Sequence, residues 1–357
     1  MFLSFIIPTY NRAAYIERCL LSIAQQIQQF SLPMSIIISD NASTDNTPQI
    51  IGELQKQFPF IRYHRRSQNG GYAANFHTLC QIVDGEYAWL FGDDDILLDG
   101  GLAMVLSVLK NEKPDFCHAS VEHRLSGHGY VLRGPVISLC NEIGWLDFSG
   151  LMTSCVFKAD SLRAAAVAPS WPLFAQNAFP HSCVLLEQCA YNHAVMIDRP
   201  IVATCEIEQT PECLKRWAAE NVGWKYFLTA DALLHMIKEN KVPGRLPAKF
   251  FRYHNYFLWN RFISNLLHES YVGDRIINPV AWDKILTIVG MLSDRALAVD
   301  IRNHVEEART LMDGLFHARK SCRSVESLVL QTCQTHGRPV FDFQLIHPQT
   351  LPTSASA

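Results

Sequence analysis

A mostly parallel α/β sheet, followed by a mainly helical region, is the fold class that the sequence predicts. Three observations predict it. Short apolar runs alternate with amphipathic helical periods over about the first hundred residues. Polar clusters close three of those runs, and the strand pattern ceases from about Glu206 onward. Strand and helix alternating in this way build a sheet with right-handed crossovers, and such sheets bind ligands beyond the carboxyl ends of their strands.

Phe2 to Ile7 is an apolar run ended by Pro8, as expected of a strand buried on both faces. Asn11 is placed to cap a helix in which Ile16, Cys19, Leu20 and Ile23 share one face. Ile36-Ile37-Ile38 marks a second buried strand within Ser35 to Ser39. Thr47-Pro48 reads as a cap and a first-turn proline, opening a helix through Ile51, Leu54 and Phe58. Phe60 to His64 is a third strand. Asn69-Gly70-Gly71 is turn chemistry, and Phe76, Leu79, Cys80 and Val83 give the next helix. Tyr87 to Phe91 is a fourth strand that runs directly into Gly92-Asp93-Asp94-Asp95.

The chain has 357 residues, 48% hydrophobic and 18% charged, which is enough for two domains with a sizeable core. A net charge of −3, from 31 Lys+Arg against 34 Asp+Glu, argues against a nucleic-acid partner, because a phosphate backbone demands a basic excess. The eleven cysteines are scattered without a CxxC pair and fit buried reduced thiols, zinc ligation being the sharper alternative. The N-terminal MFLSFIIPTYNR has no basic leader and is broken by Pro8, so it reads as a strand and not a signal peptide. No run reaches the ~18 apolar residues that span a bilayer. The expected location is cytoplasmic, with peripheral contact at the inner face of the plasma membrane left open.

Thr9-Tyr10-Asn11, Asp40 to Ser43 and Gly92 to Asp95 fall on one rim of the expected sheet. Three consecutive carboxylates repel one another unless a cation offsets them. At a strand end they can hold Mg²⁺ or Mn²⁺, with diphosphate oxygens completing the shell; a solvated acidic turn is the plainer alternative. The first loop lacks GxGxxG, and no GxxxxGK[ST] occurs, so nicotinamide, flavin and P-loop sites are excluded. Asp40 can accept from the imide N–H of uracil or thymine, or it can cap its own loop. Asn69-Gly70-Gly71-Tyr72 with Asn75 can bring backbone N–H groups and an amide to a ligand, or simply enter a helix.

Together the segments Ile6 to Arg12, Ile38 to Thr47, Asn69-Gly70 with Asn75, and Trp89 to Asp95 resemble the family 2 glycosyltransferases, closest in wording to the abequosyltransferase-like subgroup. The resemblance is clear to about residue 110 and weaker to about 205. It implies an inverting enzyme with a GT-A fold, a Rossmann-like and mostly parallel sheet. It also implies a nucleotide-sugar donor, a divalent cation (Mg²⁺ or Mn²⁺), and a glycan or lipid-linked saccharide acceptor. In this comparison Pro8, Thr9 and Tyr10 line the nucleotide pocket and Asp40 meets the base. Arg12, Asn69, Gly70, Asn75, Asp93 and Asp94 complete the donor contacts, and Asp95 with Asp93 holds the metal. The family pattern Asp-x-Asp-Asp is altered, since Gly92 stands where the first Asp would be. The Glu-Asp pair that carries the general base in many members is also missing. His181 falls nearest that position, as base, late metal ligand, cap or packed residue, with Glu187 and Asp147 as alternatives.

The expected division is residues 1–205 as the catalytic domain, 206–340 as a helical domain and 341–357 as a disordered tail. Helices are expected over Leu214 to Asn240, Pro247 to His268, Pro279 to Leu297 and Arg302 to Cys333. The aromatic, basic stretch Lys249 to Phe262 suits either a bilayer surface or, more simply, core packing or an oligomer contact. The function expected is transfer of a sugar to an acceptor hydroxyl in bacterial surface polysaccharide synthesis. A sugar-nucleotide-forming nucleotidyltransferase and a non-catalytic sugar-nucleotide or glycan-binding module are the alternatives.

Overall fold

The computed structural model describes residues 1–122, 131–204, 222–253, 256–257, 279–299, 301–303, 305–306 and 309. Its elements are, in order, β1 (Leu3–Thr9), α1 (Ile16–Ile27), β2 (Met34–Asp40), α2 (Thr47–Gln57), β3 (Ile61–Arg65), α3 (Gly71–Ile82) and β4 (Tyr87–Leu90). There follow β5 (Ile96–Leu97), α4 (Gly101–Asn111), β6 (Phe116–Val121), β7 (Val131–Pro135), α5 (Val136–Ile143) and α6 (Trp145–Ser149). Then come β8 (Cys155–Lys158), α7 (Ala159–Ala166), α8 (Trp171–Phe174), α9 (Pro180–Cys189), β9 (His193–Ala203), α10 (Val222–Lys238) and α11 (Pro279–Gly290).

One sheet organises the molecule, in the order β3-β2-β1-β4-β8-β6-β9-β5, with β7 also on β9. The first four strands are parallel, and β8 enters antiparallel between β4 and β6. The β3-β2-β1-β4 half is the parallel α/β layout that the strand-helix alternation predicts, but the whole sheet is mixed, because β6 and β9 pair parallel while β8, β5 and β7 all pair antiparallel to their neighbours. Both faces of the sheet are covered. Leu3, Phe5 and Ile7 of β1 pack with α1, α2 and α4, while Ile6 joins a second core beneath α3 and α5 to α9. Burial on both faces explains why β1 and β2 read as continuous apolar runs. Pro8 is tolerated because pairing of β1 with β4 stops at Ile6, so its missing N–H removes no ladder bond on that side.

Two local expectations are corrected. Asn11 does not cap α1, which begins at Ile16; Asn11 takes φ 54° and its Oδ1 accepts the Thr44 N–H at 2.8 Å, joining two loops. Thr47 lies inside the first turn of α2, and Asp45 Oδ1 accepts its N–H at 3.0 Å in the manner of a cap.

In the C-terminal region α10 is helical as expected over its described length, whereas the helix expected over Pro279 to Leu297 ends at Gly290, breaks where Leu292 bridges Leu246, and resumes at 295. The core under α7 to α9 continues into Leu233, Met236, Trp282, Ile285 and Val289. The helix expected from Pro247 is not formed over the described part. Ala248–Phe251 is a single 3-10 turn, and Arg252–Tyr253 then pairs antiparallel with Tyr256–Phe257. The reason is packing, because adjacent Phe250 and Phe251 are both fully buried and Phe250 stacks on Trp145 at 5.7 Å. A surface helix would bury only one stripe. The remainder of that aromatic stretch, most of 302–333 and the 341–357 tail lie outside the described residues. Among the described residues no helix is long and apolar enough to cross a membrane, and Cys19, Cys80, Cys117, Cys140, Cys155, Cys183 and Cys189 are free and buried.

Candidate active site

The carboxyl ends of β1, β2 and β4 bring the three polar loops together, and the loops brace one another through backbone donors. The N–H groups of Asn11, Arg12 and Ala13 are accepted by Ser43 Oγ (2.9 Å), Thr47 Oγ1 (2.9 Å) and Asp45 Oδ2 (3.1 Å). The Asn75 amide spans β1 and β2, donating to Ser39 O at 2.8 Å and Thr9 O at 3.3 Å. Its own Oδ1 is buried without a partner, as is Ser39 Oγ, so this end of the sheet holds polar capacity that the protein does not satisfy. Asn41, which the sequence reading passed over, is a hub. Its Oδ1 accepts from Gly70 N–H (3.0 Å) and Arg66 Nη1 (2.8 Å), and its Nδ2 donates to Asn69 Oδ1 (2.6 Å). Asn69 and Gly70 therefore sit at the rim, but through Asn41. Tyr10 is 39% exposed there, free to cover a planar ligand.

Asp40 is wholly enclosed. Its Oδ1 accepts from Ser43 N–H (2.9 Å) and Ser43 Oγ (2.6 Å); its Oδ2 accepts from Tyr63 Oη (2.5 Å) and faces Arg65 Nε at 3.7 Å. Burial, and then this carboxylate, push the Tyr63 hydroxyl well above its ordinary range, so it stays a donor. The capping use of Asp40 is thus present, and direct contact with a nucleobase would need one of these partners to give way.

The acidic loop is the chemical centre. Arg12 reaches it from the first loop, with Nε 3.3 Å from Asp93 Oδ1 and Nη2 3.6 Å from Asp94 Oδ2. Burial raises the Asp93 carboxyl to about 7; Arg12 draws it back, Asp94 and Asp95 push it up, and the Thr9 hydroxyl lies beside it without completing a hydrogen bond. Burial is what chiefly disfavours the charged form of this carboxyl, and a bound cation would offset that cost. Asp95 is 6% exposed, and its Oδ2 accepts the hydroxyl proton of Thr153. The same hydroxyl accepts Gly92 N–H at 2.7 Å. A Cβ at Gly92 would meet Asp95 Oδ2, so a larger residue there would turn that carboxylate from its present orientation.

No group of three metal-binding side chains converges among the described residues. A hard divalent cation can nonetheless be held by one or two carboxylates, with substrate phosphates and water filling the shell. Asp93 and Asp95 fit that use. Asp93→Asn is expected to stabilise the protein by roughly 2–4 kcal/mol above pH 7, with no gain below pH 4. The sign follows because the native state binds the Asp93 proton up to about pH 7 and the unfolded state only to 3.8. Urea unfolding at pH 8 and pH 4 checks it.

The acceptor-half candidates fall in three different surroundings. His181 is 3% exposed, and both ring nitrogens are engaged. Gly150 O at 3.3 Å can only accept, so Nε2 carries the proton and Nδ1 accepts from Tyr72 Oη at 3.0 Å. Burial lowers this imidazole to about 4, against the pull of the Gly150 and Ser149 backbone. It is a neutral brace, with no ring nitrogen left for an acceptor hydroxyl or a metal. Glu187 lies six residues further along α9, ~9 Å from the rim end at 1.5 Å per residue, where it accepts from Gln188 Nε2 at 2.9 Å. Asp147 faces the C-terminal region, 3.6 Å from Arg252 Nε.

Residues 4–138 match the family model described as Glycosyl transferase family 2. Abequosyltransferase RfbV of Salmonella typhimurium is 42% identical over 113 residues, which is 31% of this chain and 34% of that protein. GalNAc(5)-diNAcBac-PP-undecaprenol beta-1,3-glucosyltransferase of Campylobacter jejuni is 34% identical over 105 residues, 29% of this chain and 33% of that protein. The chain thus matches about a third of the length of each of these relatives. Among solved structures, S. aureus TarS gives a TM-score of 0.48 at 16% identity, covering 86% of this chain and 55% of that one. At that score and identity no residue role carries across.

Proposed function

We propose that this chain, whose residues 4–138 match the family 2 glycosyltransferase model, transfers a sugar from a nucleotide-sugar donor to an acceptor hydroxyl, with inversion, in the assembly of a bacterial surface polysaccharide. The observation that carries the reading is the acidic loop after β4, bridged by Arg12 to the loop after β1 and seated beside the polar ends of β1 and β2. In this reading the loops after β1 and β2 with Tyr10 receive the nucleoside. Asp95 and Asp93 are the residues that would hold Mg²⁺ or Mn²⁺, and such a cation, when bound, supplies positive charge opposite the leaving diphosphate. Arg12 stands ready to move from the carboxylates to a phosphate oxygen, where its planar fork gives paired donors.

The names of the two relatives, an abequosyltransferase and a glucosyltransferase named for an undecaprenol-linked saccharide, support a glycan or lipid-linked acceptor. A nucleotidyltransferase is set aside by the family match. A donor-binding module without turnover is the second reading, favoured by the engaged ring of His181.

Purified protein supplied with UDP-, dTDP-, CDP- and GDP-sugars tests both. Release of nucleoside diphosphate from one donor class, abolished by EDTA and restored by Mn²⁺, is expected. Metal-dependent binding without release from any donor would transfer support to the second reading.

A further inference from the structure

We propose that Thr153 is a positioning residue for Asp95, fixing the orientation in which that carboxylate meets a cation. The inference rests on the reading of Asp95 as the cation's ligand. Thr153 lies 58 residues after Asp95 and is fully buried. Its single hydroxyl has its direction set from both sides. Gly92 N–H occupies an oxygen lone pair at 2.7 Å, so the hydroxyl proton is aimed at Asp95 Oδ2. The Thr153 carbonyl is held in turn by Trp89 Nε1 at 2.8 Å. Trp89 is a fully buried residue of β4, the strand that leads into the acidic loop.

The turn that bears Thr153 is itself braced. Three successive carbonyls before it receive side chains from two elements, β6 and α9. Phe148 O accepts from His118 Nδ1 (2.6 Å), Ser149 O from Ser182 Oγ (2.9 Å) and Gly150 O from His181 Nε2 (3.3 Å). These carbonyls close the carboxyl end of α6, where orphan acceptors must find donors. His118 and His181 therefore act behind Thr153, through the turn. A carboxylate held by a rigid neighbour loses its freedom to turn before it binds, and supporting hydrogen bonds of this kind commonly set metal affinity.

The test is Mn²⁺ binding to the full-length protein, followed by electron paramagnetic resonance of the free ion. Thr153→Val fills the same volume but removes the hydroxyl, and is expected to weaken Mn²⁺ binding about tenfold or more. Thr153→Ser, which keeps the hydroxyl, is expected to stay within about threefold of wild type. A merely structural role would lower the melting temperature in both without separating their Mn²⁺ affinities. Should the valine protein not fold, Thr153→Ala, which leaves room for water, is measured against the same tenfold expectation. Wild-type Mn²⁺ affinity in the folded valine or alanine variant overturns the proposal. Asp95→Asn separates the two readings: its loss of Mn²⁺ with retention by the valine variant removes Thr153 alone, whereas Mn²⁺ binding indifferent to Asp95→Asn removes the cation assignment beneath it.

Discussion

Asp95→Ala is expected to lower sugar transfer about a thousandfold, the scale seen when one preorganised electrostatic group is removed from a transition state. The fold should survive. Asp95 ends a loop and is not a core hydrophobe. Asp94→Ala is the internal comparison. Asp94 faces Arg12 Nη2 at 3.6 Å and has no Thr153-like brace, so its loss is expected to cost within about tenfold. Initial rates with the preferred donor, alongside melting temperatures, check both. Equal losses in the two variants would mean that the loop acts by net charge and not through a positioned carboxylate.

The second large effect is acid sensitivity set by His118 and His181. Burial lowers each imidazole from 6.5 to about 4, and both are held neutral as donors to carbonyls of the α6 turn. Between those values the unfolded chain binds protons that the native chain refuses, so stability rises with pH across the window and is lost on acidification through it. Each histidine is expected to contribute about 3 kcal/mol of that loss, complete near pH 4. Asp93 works in the opposite direction over an overlapping range, so the measurement is cleanest in the Asp93→Asn protein. There, urea-derived stability should fall steeply from pH 6.5 to pH 4, and adding His118→Asn should remove about half of the slope. A flat profile would show that neither ring is held neutral.

The parallel half of the fold was readable because its signals are local. Ile36-Ile37-Ile38 needs burial on both faces, and Ile16, Cys19, Leu20 and Ile23 share one helical stripe wherever the rest of the chain goes. The loop chemistry was half readable. An Asp three residues before a Ser announces a self-bonded turn, and Asp40 with Ser43 forms one; that Tyr63 and Arg65 would close over it depends on β3 lying beside β2. Thr153 gave no signal. Its contact with Asp95 exists because β8 inserts between β4 and β6, a tertiary choice that no window of residues around Met152 encodes. His181 depended on the same kind of contact: its place in sequence left base, metal ligand, cap and packed residue open, and Tyr72 and Gly150, both distant along the chain, take up its two nitrogens.

Calorimetric titration of UDP, dTDP, CDP and GDP into the protein, with and without Mn²⁺, tests the central claim most directly. One nucleotide should bind at least tenfold more tightly when Mn²⁺ is present, and Asp95→Ala should erase that difference while leaving the metal-free affinity unchanged. Binding of every nucleotide that ignores both Mn²⁺ and Asp95 would contradict the account.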